Sequence, residues 1–169
     1  MRSRRVYDGS VVSLRVDEVE TAAGYRASRE IVEHRGAVAA VPVLPDGDVL
    51  LVRQYRGAVG ARLLEIPAGT LEPGEDPEQA LQRELAEEIG MRAGRLQRLT
   101  SFLPSPGFLT EVVHVYLARD LTPEQREAEE EDLEVVRVPL ARTPALVASG
   151  EIRDAKSIIG LLLASARPR

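Results

Sequence analysis

The chain has 169 residues, of which 44% are hydrophobic and 29% are charged, as expected for one globular domain. Its net charge is −5 and it has no dense basic patch, so we do not expect nucleic acid to be its main partner. The lack of cysteine excludes disulfides, thiolate metal sites and a catalytic thiol, and no apolar stretch reaches membrane-spanning length. The basic N-terminus lacks the apolar run of a secretory signal, so we expect a cytoplasmic protein with no membrane partner.

Residues 1–35 are the first predicted unit and contain short β-like runs. Residues 11–14 form one such run, and residues 29–34 alternate as a strand does. Residues 21–24 are typical of a turn between them. We therefore expect an N-terminal β segment over residues 1–35, followed by a main domain over residues 36–169.

Two continuous apolar runs follow, residues 37–44 and 49–52, and the turn-forming residues 45–48 separate them. This pattern predicts a hairpin of two strands that are buried on both faces and covered by helices on each side. Residues 63–66 are a further short strand, which leads directly into Pro67, Ala68 and Gly69.

Residues 69–91 predict a loop that leads into a short, well-capped helix. Asp76 suits the N-cap, Pro77 suits the first helical position, and Gly90 suits the position just after the helix. The capped ends predict a helix with well-defined boundaries, so its side chains project from fixed positions.

Three glutamates project from this helix. Glu84 and Glu88 are four residues apart and therefore share one face, with Glu87 at its edge. Glu88 also lies close to the apolar stripe of this helix. Carboxylates turned toward a protein interior need a positive charge to compensate the cost of burying them. A hard divalent cation supplies it, because such cations prefer oxygen ligands. The alternative is an ordinary solvated acidic helix face.

The rest of the chain predicts strands at residues 96–102, 112–117 and 133–138, with an acidic loop at 121–132. Two helices complete it: a short one that begins at Thr143 and ends by Gly150, and one that Asp154 caps and that runs to about Ala164. This order of elements favours a mixed sheet between helices.

The positions of Gly69, Glu75, Arg83, Glu84, Leu85, Glu87, Glu88, Gly90 and Met91 match the Nudix box. The chain therefore resembles the Nudix hydrolases. The resemblance implies an α/β/α sandwich with a mixed central sheet, and hydrolysis of a nucleoside diphosphate linked to another moiety with Mg²⁺ or Mn²⁺. It implies Glu84 and Glu88 as catalytic metal ligands, assisted by Glu87 and the Ala68 carbonyl. Gly69, Glu75, Arg83 and Gly90 would order the loop and helix.

Further segments resemble the ADP-ribose pyrophosphatase branch of that family. Pro106 follows Gly90 by sixteen residues, as the marker of that branch requires, and residues 30–34, 52–56 and 65–69 are also similar. The resemblance implies conversion of ADP-ribose and water to AMP and ribose 5-phosphate. It also implies a homodimer in which the N-terminal β segment is exchanged between subunits.

The same resemblance assigns the remaining site residues. Glu129 in the acidic loop is the expected general base and Glu131 an additional metal ligand, with Glu130 and Glu127 as alternatives for the base. The expected substrate-binding residues are Arg29, Glu30, Arg56, Pro106, Gly107 and Phe108.

Two other functions remain open. The box also suits another nucleotide sugar, such as GDP-mannose, or a dinucleotide, since each presents the same pyrophosphate. A ligand-binding regulator without catalysis is the alternative from a different class, and the intact Glu84, Glu87 and Glu88 set argues against it.

Overall fold

The computed structural model describes residues 2–124 and 132–167. The strands in these residues are β1 (Arg2–Asp8), β2 (Val12–Glu20), β3 (Arg26–His34), β4 (Ala37–Pro42), β5 (Asp48–Arg56), β6 (Ala61–Glu65), β7 (Ala68–Thr70), β8 (Met91–Phe102), β9 (Val113–Pro123) and β10 (Glu134–Pro139). The helices are α1 (Pro77–Ile89), α2 (Thr143–Ala148) and α3 (Ala155–Ser165), with a 3₁₀ turn at Leu140–Arg142. Among the described residues, no helix has the length and apolarity needed to cross a membrane.

The strands form three sheets, in the orders β1-β2-β3, β10-β5-β6 and β7-β4-β9-β8. Strand β4 runs parallel to β9 and antiparallel to β7, so the four-stranded sheet is mixed. The predicted mixed sheet is therefore confirmed.

Strand β4 lies at the centre of the fold because it is apolar on both faces. Val38 and Ala40 belong to a core cluster with Leu81 and Leu85 of α1. Ala39 and Val41 point the other way, into a cluster with Leu161 of α3. Successive side chains of a strand alternate between faces, so one apolar strand supports a helix on each side. The predicted α/β/α layering is confirmed, and it places α1 over β7.

The N-terminal strands β1, β2 and β3 form an antiparallel sheet of their own. This sheet contacts the main domain through the loop after β8, where the Val32 amide donates to the Phe108 carbonyl at 2.7 Å. The Thr110 amide donates in turn to the Val32 carbonyl at 3.0 Å. The division into residues 1–35 and 36–169, and the exchange of this segment in a dimer, remain predictions.

The predicted hairpin of β4 and β5 is wrong in one respect. The turn exists, with Gly47 at φ +90° and a bridge between Val43 and Val49. However, the two strands diverge into different sheets. Strand β4 pairs with β7 and β9 along its two edges, so β5 has no edge of β4 to join and pairs with β6 and β10 instead.

Several strands are longer than predicted. Strand β1 was not predicted, because its sequence is rich in arginine and all its residues are exposed. Strand β8 begins at Met91 rather than residue 96, directly after α1, and β9 extends to Pro123. The start of the predicted acidic loop is therefore strand. Pairing with a neighbouring strand extends these elements through polar residues that sequence patterns assign to loops.

Candidate active site

Helix α1 begins and ends where the sequence predicts. The Asp76 carboxylate accepts hydrogen bonds from the Glu78 and Gln79 amides at 3.0 and 3.2 Å, and Pro77 occupies the first turn. Gly90 ends the helix at φ +65°, in the left-handed conformation that favours glycine. These caps fix the rotation of α1 and hence the direction of its glutamates.

Glu84 and Glu88 are both buried, each with 8% of its surface exposed. Their side chains turn toward β7. The Glu88 Oε2 atom accepts a hydrogen bond from the Ala68 amide at 2.9 Å. A Cβ atom added to Gly69 would lie 1.8 Å from the Glu84 Oε1 atom, so only glycine leaves space for that carboxylate. The two glutamates therefore pack directly on the Ala68–Thr70 backbone.

Arg83 connects the loop to the carboxylates. Its Nε and Nη2 atoms donate to the two Glu75 oxygens, both at 3.2 Å. Its Nη1 atom donates to Glu84 at 2.7 Å and to Glu87 at 3.2 Å. One guanidinium thus contacts three carboxylates, and Glu75 holds it in place through a fork-shaped pair of bonds.

Burial raises the pKa of Glu84, and the nearby Arg83 only partly offsets this effect. Hydrogen bonds with Glu75 raise the pKa of Arg83 still further above its ordinary value. One cation shared among three carboxylates leaves Glu84 incompletely compensated. A buried carboxylate in this condition favours an additional positive charge nearby.

The carboxylates line a cavity of about 300 Å³. Its lining residues are Gln54, Arg56, Ala68, Gly69, Thr70, Arg83, Glu84, Glu87, Glu88 and Leu133. The donors are carboxylate and backbone oxygens, the chemistry that a hard divalent cation prefers. Within residues 2–124 and 132–167, no three Asp, Glu, His or Cys side chains already converge as a metal site. The residues present fit such a cation for two reasons. Their donor atoms are oxygens, and Arg83 only partly compensates the negative charge of Glu84.

A second cavity of about 360 Å³ is lined by the N-terminus of α3 and the end of β8. It shares Arg56, Ala68, Gly69 and Thr70 with the first cavity. Its other lining residues are Ala37, Phe102, Pro104, Glu111, Val113, Asp154, Ala155 and Lys156. The two cavities therefore adjoin at β7, and together they are called the cleft. The first cavity is lined by the α1 carboxylates, and the second has a mixed apolar and charged lining.

Arg56 lies at the wall that the cavities share, at the end of β5. Its Nε and Nη2 atoms donate to the two Glu65 oxygens at 2.9 and 2.8 Å. Lys156 also donates to Glu65, and it donates to Asp154 at 3.0 Å. Burial opposes ionisation of Glu65, but Arg56 and Lys156 outweigh it and lower the pKa of this carboxyl to about 2.

The structure leaves the other predicted substrate residues away from this cleft in the single chain. Arg29 and Glu30 are exposed on β3, and neither lines either cavity. Pro106, Gly107 and Phe108 form an exposed turn, and Phe108 is 51% exposed. The part of this loop region that lines the cleft is Phe102 and Pro104. Glu127, Glu129, Glu130 and Glu131 lie outside the described residues.

Sequence reasoning missed three polar residues at the cleft. Gln54 lines the first cavity and is 5% exposed, and its Nε2 atom has no hydrogen-bond partner among the described residues. Lys156 lines the second cavity, and Glu65 is the carboxylate to which both Lys156 and Arg56 donate. Gln54 and Glu65 occur in two of the segments noted above, and Lys156 is the only lysine of the chain. That single lysine, placed just after a helix cap, was the available signal.

The sequence profile of the NUDIX domain matches residues 33–158, which include α1 and the residues that line both cavities. This chain belongs to the Nudix family. The match begins at the end of β3, so it leaves most of the N-terminal sheet outside.

Individual relatives agree with this assignment. The chain is 44% identical over 156 residues to the ADP-ribose pyrophosphatase of Bacillus subtilis strain 168, covering 90% of this chain and 84% of that protein. It is 36% identical over 164 residues to the methanol dehydrogenase activator of Bacillus methanolicus, covering 95% and 89%. A solved structure titled "Crystal structure of ADP compounds hydrolase" superposes with a TM-score of 0.87 at 28% identity, covering 98% and 90%. The predictions of a Nudix fold and a Nudix hydrolase are confirmed.

Proposed function

We propose that this protein hydrolyses the pyrophosphate of ADP-ribose, with a divalent cation, to AMP and ribose 5-phosphate. The observation that supports this most directly is the pair of buried carboxylates, Glu84 and Glu88, packed on the Ala68–Thr70 backbone inside the cleft. The names of the Bacillus subtilis relative and of the superposed structure support ADP-ribose as the substrate.

Glu84 and Glu88 would hold Mg²⁺ or Mn²⁺, with Glu87 and the Ala68 carbonyl as further oxygen ligands. Such a cation, when bound, neutralises pyrophosphate charge and lowers the pKa of bound water. Arg83 orients Glu84 and Glu87, and Glu75 holds Arg83. Glu129, which lies outside the described residues, is the proposed base that accepts the proton of the attacking water, with Glu131 beside it.

Arg56 is the proposed phosphate-binding residue, because it lines both halves of the cleft. A guanidinium there would hold a phosphate oxygen while the reacting phosphorus lies near the α1 carboxylates. The chain's main contribution to catalysis is thus positioning and charge stabilisation, as expected for transfer at phosphorus. Residues of the N-terminal sheet, Arg29 and Glu30, remain proposed contacts of the adenosine half in a homodimer.

A direct test is product analysis of ADP-ribose incubated with Mg²⁺, with GDP-mannose in parallel and EDTA as the control. We expect AMP and ribose 5-phosphate only in the presence of metal, formed faster than GDP-mannose is cleaved. Cleavage of GDP-mannose or a dinucleotide without cleavage of ADP-ribose would support the hydrolase activity and refute ADP-ribose as the substrate. Binding without cleavage of any pyrophosphate would favour the regulator.

A further inference from the structure

Glu65 is a buried carboxylate outside the α1 cluster, and it lies between two cations. It is 1% exposed at the end of β6. The Arg56 guanidinium donates to both Glu65 oxygens, and the Lys156 ammonium group donates to Oε2 as well. Two positive charges therefore share one negative charge.

Lys156 is placed for this contact by α3. It lies in the first turn of the helix, which Asp154 caps by accepting a hydrogen bond from the Ser157 amide at 3.1 Å. Lys156 is partly buried, with 18% of its side chain exposed, and its ammonium group bridges Glu65 and Asp154. The bridge ties the N-terminus of α3 to the end of β6.

The charges of this group decide what Lys156 does. Arg56 and Lys156 carry two positive charges, and Glu65 and Asp154 carry two negative charges. Without Lys156 the group has one excess negative charge, and Arg56 is the cation that remains paired with Glu65 among the described residues. An arginine whose charge is offset by Glu65, next to an aspartate that has lost its lysine, attracts phosphate poorly, because the aspartate and the phosphate repel each other strongly in a partly buried site.

We propose that Lys156 is a positioning residue that acts through Glu65 on Arg56. By sharing the Glu65 carboxylate, it keeps the Arg56 guanidinium fixed in place and strengthens the positive potential at the cleft, where Arg56 binds the phosphates of a nucleoside diphosphate. The inference rests on the proposed function, since it takes Arg56 as the phosphate-binding residue.

The test is a double-mutant cycle with Lys156→Met, Arg56→Met and the double variant, using steady-state kinetics on ADP-ribose at saturating Mg²⁺. We expect K156M to raise KM about tenfold with kcat within about twofold. The weakened interaction between Arg56 and phosphate stabilises the bound substrate and the transition state equally. We expect K156M to have no further effect on KM in the R56M background. Effects of the two substitutions that multiply would show that Lys156 acts independently of Arg56 and would overturn the inference.

Two control variants separate charge from packing. Lys156→Arg keeps the charge, and we expect its KM within about threefold of wild type. Arg137→Met removes another cation that bridges two carboxylates, Asp46 and Asp48, at the opposite end of β5. We expect R137M to leave KM unchanged. A K156R protein as impaired as K156M, or an R137M protein equally impaired, would contradict the inference.

Calorimetric measurement of ADP binding to the same folded variants separates a failure of the proposed function from a failure of the proposed role of Lys156. We expect K156M to weaken ADP binding and K156R to restore it. If K156M fails to fold, Lys156→Gln replaces it in both measurements. A wild-type protein that leaves ADP-ribose intact would refute the proposed function. An ADP Kd that is unchanged in K156M, or in K156Q if that variant replaces it, would refute the role of Lys156.

Discussion

Glu84 on α1 and Glu65 at the end of β6 are two buried carboxylates, and their pKa values shift in opposite directions. Burial raises the pKa of Glu84, whose cation, Arg83, also serves Glu75 and Glu87. Burial acts on Glu65 in the same sense, but Arg56 and Lys156 lower its pKa to about 2. The difference is the number of cations per carboxylate. It indicates that Glu65 is compensated by the protein itself, whereas Glu84 is suited to receive a further cation.

The strongest test of this contrast is Glu88→Gln. If the α1 carboxylates hold the metal, this change lowers kcat by about 10³-fold or more, since metal ions supply several kcal/mol of stabilisation at phosphorus. The fold should survive, because the amide keeps an oxygen to accept from the Ala68 amide. Glu78→Gln, on the exposed first turn of α1, is the matched control and should retain wild-type activity. Near wild-type turnover by E88Q at saturating Mg²⁺ would refute the metal assignment.

A second prediction concerns the backbone beneath Glu84. In Gly69→Ala the new methyl group overlaps the Glu84 carboxylate and must displace it, so we expect a loss of about 100-fold in kcat/KM. Gly57→Ala is the control, because a Cβ atom there meets no described residue within 4 Å. Equal activities of the two variants would show that the position of Glu84 is unimportant.

The compensated carboxylate predicts a pH effect on stability. The folded pKa of Glu65, about 2, lies below the ordinary value of 4.5, so its ionised form stabilises the protein above pH 4.5. This contribution, roughly 3 kcal/mol, is lost as the pH falls from about 4.5 to about 2. Urea unfolding of wild type and Glu65→Gln across this range should therefore converge at low pH. Glu134→Gln, an exposed carboxylate, is the control and should parallel wild type. A constant difference between wild type and E65Q would contradict the assignment.

The smallest effect is expected at the end of α1. Gly90→Ala forces a side chain into the left-handed region at φ +65° and should lower the free energy of unfolding by about 1 kcal/mol. Chemical denaturation measures this, with Gly57→Ala again as the control. An unchanged stability would show that the helix end relaxes, and that the rotation of the glutamates does not depend on this cap.

The sequence predicted the features that depend on local chemistry. Asp76, Pro77 and Gly90 set the ends of α1, and the two-sided apolar run at residues 37–44 indicated a central strand. The divergence of β4 from β5 depends on which strands occupy the edges of β4, and no local pattern encodes that. The contact of Lys156 with Glu65 joins residues 91 positions apart. Such pairs arise only when α3 packs on the sheet, so spacing along the chain does not reveal them.

The most direct test of the contrast between the two carboxylates is calorimetric titration of Mg²⁺ into wild type, Glu84→Gln and Glu65→Gln. We predict that E84Q binds Mg²⁺ at least about tenfold more weakly than wild type, because it loses a charged oxygen ligand. We predict that E65Q binds it within about threefold of wild type, because Arg56 and Lys156 already compensate Glu65. Metal binding that survives in E84Q but is lost in E65Q would contradict the account.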